Sequence, residues 1–225
     1  MTKAVHGNLV MNNIIDLTHL VDETIPSYPG DPPYWVHVSM KATGAHADLV
    51  SPNLSQINIG LHVGTHGDAP YHFIPNGETM EQMDLFRCLG PACVIRLGNF
   101  PPGEPIGVEH IRPNEEKILK APRVLFQTGW DKRFRESDYF EKHPWISSEG
   151  AKYLIELGVL TVGLDFPSVD YHPYSTHFAL LGAKVFIVEN LKGLDRLPEK
   201  DFSLCALPLK LRGRDGSPVR AVAFW

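Results

Sequence analysis

The sequence of 225 residues lacks the usual marks of secreted, membrane-spanning and nucleic-acid-binding proteins. Its three cysteines, Cys88, Cys93 and Cys205, are an odd number without CxxC spacing, which disfavours a disulfide framework and a cysteine-based zinc finger. No apolar run approaches the roughly 20 residues of a transmembrane helix. The net charge of −5 gives no support for binding to nucleic acid or to an anionic membrane.

The sequence also lacks the signatures of several large enzyme classes. It contains no G-x-S-x-G elbow of a serine hydrolase, no P-loop and no G-x-G-x-x-G dinucleotide fingerprint. Residues 1–16 lack the basic-then-apolar pattern of a signal peptide, and the cysteine usage fits a reducing compartment, so we expect a cytoplasmic location. The partner that we expect is a small-molecule substrate.

Proline, glycine and histidine are abundant, with 19, 19 and 11 residues. Short strand-like segments outnumber helices and do not strictly alternate with them, which predicts a mixed α/β domain over residues 1–225. The predicted strands cover residues 14–17, 34–40, 54–61, 91–97, 123–127, 159–164, 184–188, 204–211 and 219–224.

The clearest helix signal covers residues 147–157, where a serine can cap the N-terminus and Gly158 can end the helix. Asp215 and Gly216 form a turn signal between the last two predicted strands. The proline-rich segment 26–33 can be neither a helix nor a central strand, and we expect it to be a loop over the site.

Three of the eleven histidines lie within eleven residues and surround an aspartate, in the pattern H-x3-H-x-D-x3-H. The four residues are His62, His66, Asp68 and His72. Imidazole and carboxylate ligands together suit Zn, Mn or Fe better than Ca or Mg. A lone histidine more often hydrogen-bonds the backbone, but three histidines and an aspartate at this spacing favour a metal site.

This spacing requires a bend in the chain. Gly64 and Gly67 oppose a helix, and on a straight strand His62 and His66 would lie roughly 13 Å apart. Metal–nitrogen bonds are only about 2.0–2.1 Å long, so one ion could not be shared across that distance. We therefore predict that the chain folds back here, with Gly64 and Gly67 permitting the bend.

The remaining ligands must come from another segment. The downstream candidates are Asp165, Asp170, His172, His177 and Glu189. Glu189 ends an apolar run, and on a strand it would share a face with Ile187. A carboxylate on an apolar face is costly unless it is paired or ligating, which favours Glu189 as a ligand. The alternative is a glutamate at a strand end that already lies in solvent.

The histidine segment resembles the cyclase family of metal-dependent hydrolases, whose best-known members are bacterial kynurenine formamidases (arylformamidases), with isatin hydrolases as relatives. The family pattern H-x-G-T-H-x-D-x-P-x-H is met in full by His62, Gly64, Thr65, His66, Asp68, Pro70 and His72. His177 and Glu189 meet the family spacing of twelve residues between a histidine and a glutamate. The resemblance extends to residues 15–19, 28–31 and 163–170, so it covers most of the chain.

The resemblance implies a swivelling β/β/α fold and a centre of two divalent metal ions, which we expect to be zinc, with manganese as the alternative. His62, His66 and Asp68 would hold the first ion. Asp68 and Glu189 would bridge to the second ion, which His177 completes. His72 would be the catalytic acid/base rather than a permanent ligand. The resemblance also implies a homodimer or homotetramer.

The implied activity is hydrolysis of an aryl formamide such as N-formylkynurenine to kynurenine and formate, a step of tryptophan catabolism. A cyclic amide or lactone such as isatin is the alternative substrate. A third interpretation is a structural metal, or ligand binding without turnover. His72 argues against it, because a structural site needs no additional unligated base. A bound divalent ion would lower the pKa of its water from 15.7 to about 7, and a histidine could return the proton to the leaving nitrogen.

One departure from the family concerns the substrate. Many kynurenine formamidases have tryptophan where this chain has Tyr28, in the segment Tyr28-Pro29-Gly30-Asp31. The resemblance makes Tyr28 a candidate substrate contact, and a packed aromatic side chain of the loop is the alternative.

Overall fold

The computed structural model describes residues 13–43 and 52–225 and has the predicted mixed α/β fold. Its strands are β1 Ile14–Asp16, β2 Trp35–Met40, β3 Leu54–Asn58, β4 His66–Asp68, β5 Leu89–Arg96, β6 Pro105–Ile106, β7 Arg123–Gln127, β8 Trp145–Ile146, β9 Thr161–Leu164, β10 Phe186–Glu189, β11 Phe202–Cys205, β12 Gly216–Pro218 and β13 Val222–Phe224. Its α-helices are α1 Leu85–Cys88, α2 Val108–Ile111, α3 Glu115–Lys120, α4 Ser148–Glu156 and α5 Ser175–Gly182. The prediction that residues 1–16 contain no signal peptide concerns a segment of which residues 1–12 lie outside the described residues.

Nine strands form one mixed sheet in the order β1-β13-β11-β5-β7-β9-β10-β4-β12. Strands β5, β7, β9 and β10 are parallel, and the strands on either side of them are antiparallel. Strands β7, β9 and β10 are buried along their whole length because apolar layers cover both faces of the sheet. Leu164 and Ile187 pack in one layer, and Phe186 and Val188 pack in the other. Among the described residues, no helix is long and apolar enough to cross a membrane.

Helix α4 confirms the clearest helix prediction. The Ser147 hydroxyl accepts a hydrogen bond from the Gly150 amide at 3.0 Å, so it caps the N-terminus as expected. Gly158, with φ +73°, follows the last turn. Ala151 and Leu154 are fully buried in the layer that contains Ile187.

Helix α5 has no counterpart in the sequence prediction. Its segment is apolar on nearly every side and lacks the polar stripe by which an amphipathic helix is recognised. The carboxylate of Asp170, outside the helix, accepts hydrogen bonds from the amides of Thr176 and His177 at 2.6 and 3.3 Å. This capping group was not apparent from the local sequence.

The predicted turn at Asp215 and Gly216 is wrong. Gly216 begins strand β12 and pairs with Asp68 of β4. A Cβ atom at Gly216 would lie 2.6 Å from Cε1 of His62, so the glycine provides room for a histidine ring rather than for a tight turn. The strand therefore brings Asp215 to the histidine segment.

The role of Gly67 also differs from the prediction. Gly64 has φ +67°, as the predicted bend requires, whereas Gly67 lies inside β4. A Cβ atom at Gly67 would lie 2.3 Å from the ring of Phe186. Gly67 is thus required for close packing and not for the bend.

We expect Gly67→Ala to lower the free energy of unfolding by about 1–3 kcal/mol. Phe186 is fully buried, so its ring cannot turn away into solvent. Gly182→Ala in α5 is the matched control, because its Cβ atom would have its nearest neighbour at 3.9 Å. The control should match the wild type or gain up to about 1 kcal/mol. Denaturant unfolding measures the stability of both variants. A Gly67→Ala variant as stable as the wild type contradicts the close packing of Gly67 against Phe186.

Candidate metal centre

The predicted histidine cluster begins in the turn before β4. The positive φ of Gly64 reverses the chain, and His62 Nδ1 comes to 2.8 Å from Asp68 Oδ1. His66 and Asp68 are the first and last residues of the three-residue strand, so their side chains lie on one face. The predicted bend is present, and it gathers the first three candidate ligands.

The other two predicted ligands reach the histidine cluster from α5, which carries His177, and from β10, which ends at Glu189. Glu189 pairs with His66 across the antiparallel strands β10 and β4, and Glu189 Oε2 lies 3.5 Å from His66 Nε2. His177 Nε2 lies 3.7 Å from Glu189 Oε1 and 4.0 Å from Asp68 Oδ2. Glu189 is only 5% exposed, so the alternative of a solvent-exposed glutamate is wrong. The structure thus brings all five predicted ligands together.

Hydrogen bonds fix the orientation of two of the histidine rings. His66 Nδ1 donates to the Gly64 carbonyl at 2.8 Å, and His177 Nδ1 donates to Asp170 Oδ1 at 2.6 Å. Burial lowers the pKa of His66 to about 4, so its ring is neutral at pH 7 and its Nε2 atom carries a lone pair. In both rings, Nε2 is the nitrogen turned toward the two carboxylates.

The carboxylates of Asp68 and Glu189 have opposite pKa shifts. Burial disfavours the charged form of Asp68, but the hydrogen bond from His62 and the surrounding histidines hold its pKa well below the usual range. Burial, together with the negative charge of Asp68, raises the pKa of Glu189 well above its usual value. Oxygens of the two carboxylates lie 3.4 and 3.5 Å from the same atom, His66 Nε2, and buried carboxylates that close to one another repel unless positive charge lies between them.

The donor set fits a divalent cation. Asp68 Oδ2 is buried and has no hydrogen-bond partner among the described residues. Single donor atoms of His62, His66 and Asp68 lie within 4.8 Å of one another, as do those of Asp68, His72 and His177. Imidazole nitrogens and carboxylate oxygens directed at one point are the ligands that zinc and manganese take in proteins.

His72 borders this cluster, at the end of a 3₁₀ turn formed by Pro70–His72. Its ring stacks on His62 with 4.0 Å between the centroids, and its Nδ1 atom lies 3.7 Å from Asp215 Oδ2. Burial lowers the pKa of His72 to about 4, although the negative charge of Asp68 opposes the shift. A neutral ring at pH 7 is able to accept a proton.

A cavity of about 210 Å³ opens over the cluster. Its lining includes His72, His177 and Glu189 together with the aromatic residues Tyr28, Phe73, Phe140 and Tyr174. Tyr28 lies in the predicted loop, whose turn is closed by a hydrogen bond from the Asp31 amide to the Tyr28 carbonyl. The Tyr28 ring also packs edge-on against Phe140, with 5.5 Å between the centroids. It is therefore both a packed aromatic side chain and part of the cavity wall.

The other sequence candidates lie around the centre in different ways. Asp170 orients the His177 ring. Asp165 instead accepts hydrogen bonds from Thr128 and the Gly129 amide. The exposed His172 lies outside the cavity that the described residues form. Asp215 was missed, because an Asp-Gly pair is typical of a turn and no local signal shows which strand it joins.

Known proteins resemble this chain along nearly its whole length. A family model described as "Putative cyclase" matches residues 15–171. A kynurenine formamidase from Geobacillus thermodenitrificans is 37% identical over 216 residues, which cover 94% of this chain and 97% of that protein.

Two solved structures share the fold. Isatin hydrolase A from Labrenzia aggregata, bound to benzyl benzoate, has a TM-score of 0.78 at 28% identity, covering 94% of this chain and 93% of that one. A potential metal-dependent hydrolase with cyclase activity has a TM-score of 0.74 at 28% identity, covering 94% of this chain and 97% of that one.

Proposed function

The chain belongs to the cyclase family, and from this we propose that it is a metal-dependent amidohydrolase that cleaves an aryl formamide such as N-formylkynurenine to kynurenine and formate. The observation that carries the proposal is the convergence of His66, Asp68, His177 and Glu189 beneath a cavity with aromatic walls. The likeness to a kynurenine formamidase at 37% identity supports the substrate class.

The proposal includes two divalent metal ions, which we expect to be zinc, with manganese as the alternative. His62, His66 and Asp68 would hold the first ion, and Asp68 and Glu189 would bridge to the second, which His177 completes. Divalent ions held there would supply Lewis acidity and a nucleophilic water at neutral pH. Asp170 and the Gly64 carbonyl keep the His177 and His66 rings in the orientation that ligation needs.

The other residues of the cavity would bind the substrate and move its proton. Tyr28, Phe140 and Tyr174 offer aromatic surfaces against which an aryl group can stack. One nitrogen of His72 faces Asp215, so its other nitrogen is available to take a proton from water as the oxygen attacks the formyl carbon. The same nitrogen would return this proton to the aryl amine as the C–N bond breaks.

A two-substrate assay tests the proposal. Purified protein should hydrolyse N-formylkynurenine, lose this activity when a chelator removes its metal, and regain it when zinc or manganese is added back. Isatin, measured in parallel, tests the alternative of a cyclic amide or lactone, towards which the likeness to isatin hydrolase A points. Metal content is measured by mass spectrometry in the same samples. Metal-loaded protein that leaves N-formylkynurenine intact overturns the proposal, and preferential hydrolysis of isatin favours the alternative.

We also propose that the protein is a homodimer or homotetramer. Apolar side chains on the β2–β3 ribbon support this, since Val38 and Ile57 are 49% and 59% exposed. Light scattering at several concentrations measures the assembly, and a monomer at all of them contradicts it. The cytoplasmic location and the role in tryptophan catabolism stay predictions.

A further inference from the structure

Asp215 lies beside two histidines of the site, although the ligand pattern of the sequence does not include it. Its Oδ2 atom accepts a hydrogen bond from His62 Nε2 at 2.8 Å and lies 3.7 Å from His72 Nδ1. The second distance is longer than a hydrogen bond, but the same oxygen faces both rings. Because these rings are stacked, a group that holds one of them also restricts the other.

The sheet fixes the position of Asp215. Strand β12 pairs with β4 in a register that places Gly216 opposite Asp68. The Asp215 carbonyl accepts a hydrogen bond from the Ala69 amide at 2.8 Å, which continues the pairing by one step. Gly216 has no side chain to displace the His62 ring. Backbone pairing between β12 and β4 therefore places the Asp215 carboxylate beside His62, so the contact does not depend on the side chains alone.

The contact completes a pattern among the histidines. A metal-ligating histidine almost always donates its second ring N–H to an acceptor, which fixes the ring orientation. His66 has the Gly64 carbonyl, and His177 has Asp170. His62 has Asp215 on Nε2, and its Nδ1 atom, which lies 2.8 Å from Asp68 Oδ1, is the nitrogen that would give up its proton to a metal ion.

We propose that Asp215 is a positioning residue, which holds His62 with Nδ1 turned toward the metal site and keeps the stacked His72 beside it. The inference rests on the proposed function, because it takes His62 as a ligand. Two other roles compete with it. Asp215 could itself be a ligand, since donor atoms of Asp215, His62 and His72 lie within 4.8 Å of one another. It could also contribute to folding alone.

The test replaces Asp215 by asparagine in the full-length protein, which keeps the shape and removes the anionic acceptor. We expect zinc affinity, measured by competition with a coloured chelator, to fall by about 10–100-fold. Saturating zinc should still give the wild-type stoichiometry. The Asp215 side chain is 38% exposed, so the melting temperature of the metal-free protein should stay close to that of the wild type.

Asp31→Asn is the matched control. Asp31 lines the same cavity and carries the same charge, but its side chain makes no hydrogen bond to a histidine of the described residues. Its replacement should weaken zinc binding by no more than about fivefold. If both variants lose the same amount of zinc affinity, the effect of Asp215 comes from its negative charge alone, and the inference is overturned.

A double-mutant cycle examines the link to His72. At saturating zinc, Asp215→Asn should lower kcat for N-formylkynurenine in the wild-type background and have a smaller effect in a His72→Ala background. Equal effects in both backgrounds overturn the part of the inference that concerns His72. If Asp215→Asn binds zinc as tightly as the wild type, the part of the inference that concerns His62 is overturned. If the variant holds one zinc ion fewer than the wild type at saturating zinc, Asp215 is a ligand instead.

These outcomes are separable from a failure of the proposed function. If the wild type binds zinc but leaves formamides intact, the proposed function fails, while the zinc affinities still decide the role of Asp215 at His62. If the wild type hydrolyses N-formylkynurenine and Asp215→Asn binds zinc as tightly as the wild type, the inference alone fails.

Discussion

Replacing Asp68 by asparagine should remove bound metal and lower hydrolysis of N-formylkynurenine by roughly 10³–10⁴-fold, the equivalent of several kcal/mol of transition-state stabilisation. Asp68 Oδ1 lies 2.8 Å from His62 Nδ1 and 3.4 Å from His66 Nε2. Its Oδ2 atom faces His177 and is buried. Asparagine offers one oxygen and no negative charge, so it would hold divalent cations far more weakly than the carboxylate.

Metal content by mass spectrometry and steady-state kinetics check this prediction. Asp165→Asn is the matched control, because Asp165 is also a buried aspartate but binds Thr128 and the Gly129 amide instead of the centre. The folded control should keep the metal content of the wild type. If Asp68→Asn retains all of its metal, the assignment of Asp68 as the central ligand is wrong.

Replacing His72 by alanine should leave the metal content unchanged and lower turnover by roughly 10²–10⁴-fold, the usual contribution of a general acid/base. The ring of His72 borders the cavity and stacks on His62, and burial lowers its pKa to about 4, so the neutral form is ready to accept a proton. The proton that leaves the attacking water would then have no carrier to the leaving amine.

Metal content and turnover, measured on the same variant, distinguish a catalytic base from a metal ligand. His172→Ala is the matched control, because His172 is exposed and outside the cavity of the described residues, and its activity should stay within about twofold of the wild type. Loss of metal in His72→Ala would make His72 a ligand. A His72→Ala variant with full activity would show that His72 is not the proton carrier.

The sequence was sufficient to predict which side chains come together, because the ligand types and the bend that gathers them lie within a short segment. The three-residue strand that carries His66 and Asp68 follows a glycine with φ +67°, so ligand spacing and the bend lie within one short segment. Glu189 was also recognisable, because it ends an apolar run whose burial on both faces makes an unpaired carboxylate costly.

The groups that orient those ligands could not be predicted, because they depend on strand pairing and on contacts across loops. Asp215 reaches His62 across 153 positions of sequence, through a strand whose first residue has the sequence signal of a turn. Asp170 caps α5 and orients His177 at the same time, in a helix that no amphipathic pattern reveals. Gly67 was misassigned for a related reason, since its close partner, Phe186, lies on another strand.

The most direct test of the metal centre is anomalous diffraction from crystals grown with zinc. Anomalous peaks are expected about 2.0–2.2 Å from His66 Nε2 and from oxygens of Asp68 and Glu189, with His177 as a further ligand. Peaks confined to other parts of the protein, or carboxylates of Asp68 and Glu189 that point into solvent without a metal, would contradict the account.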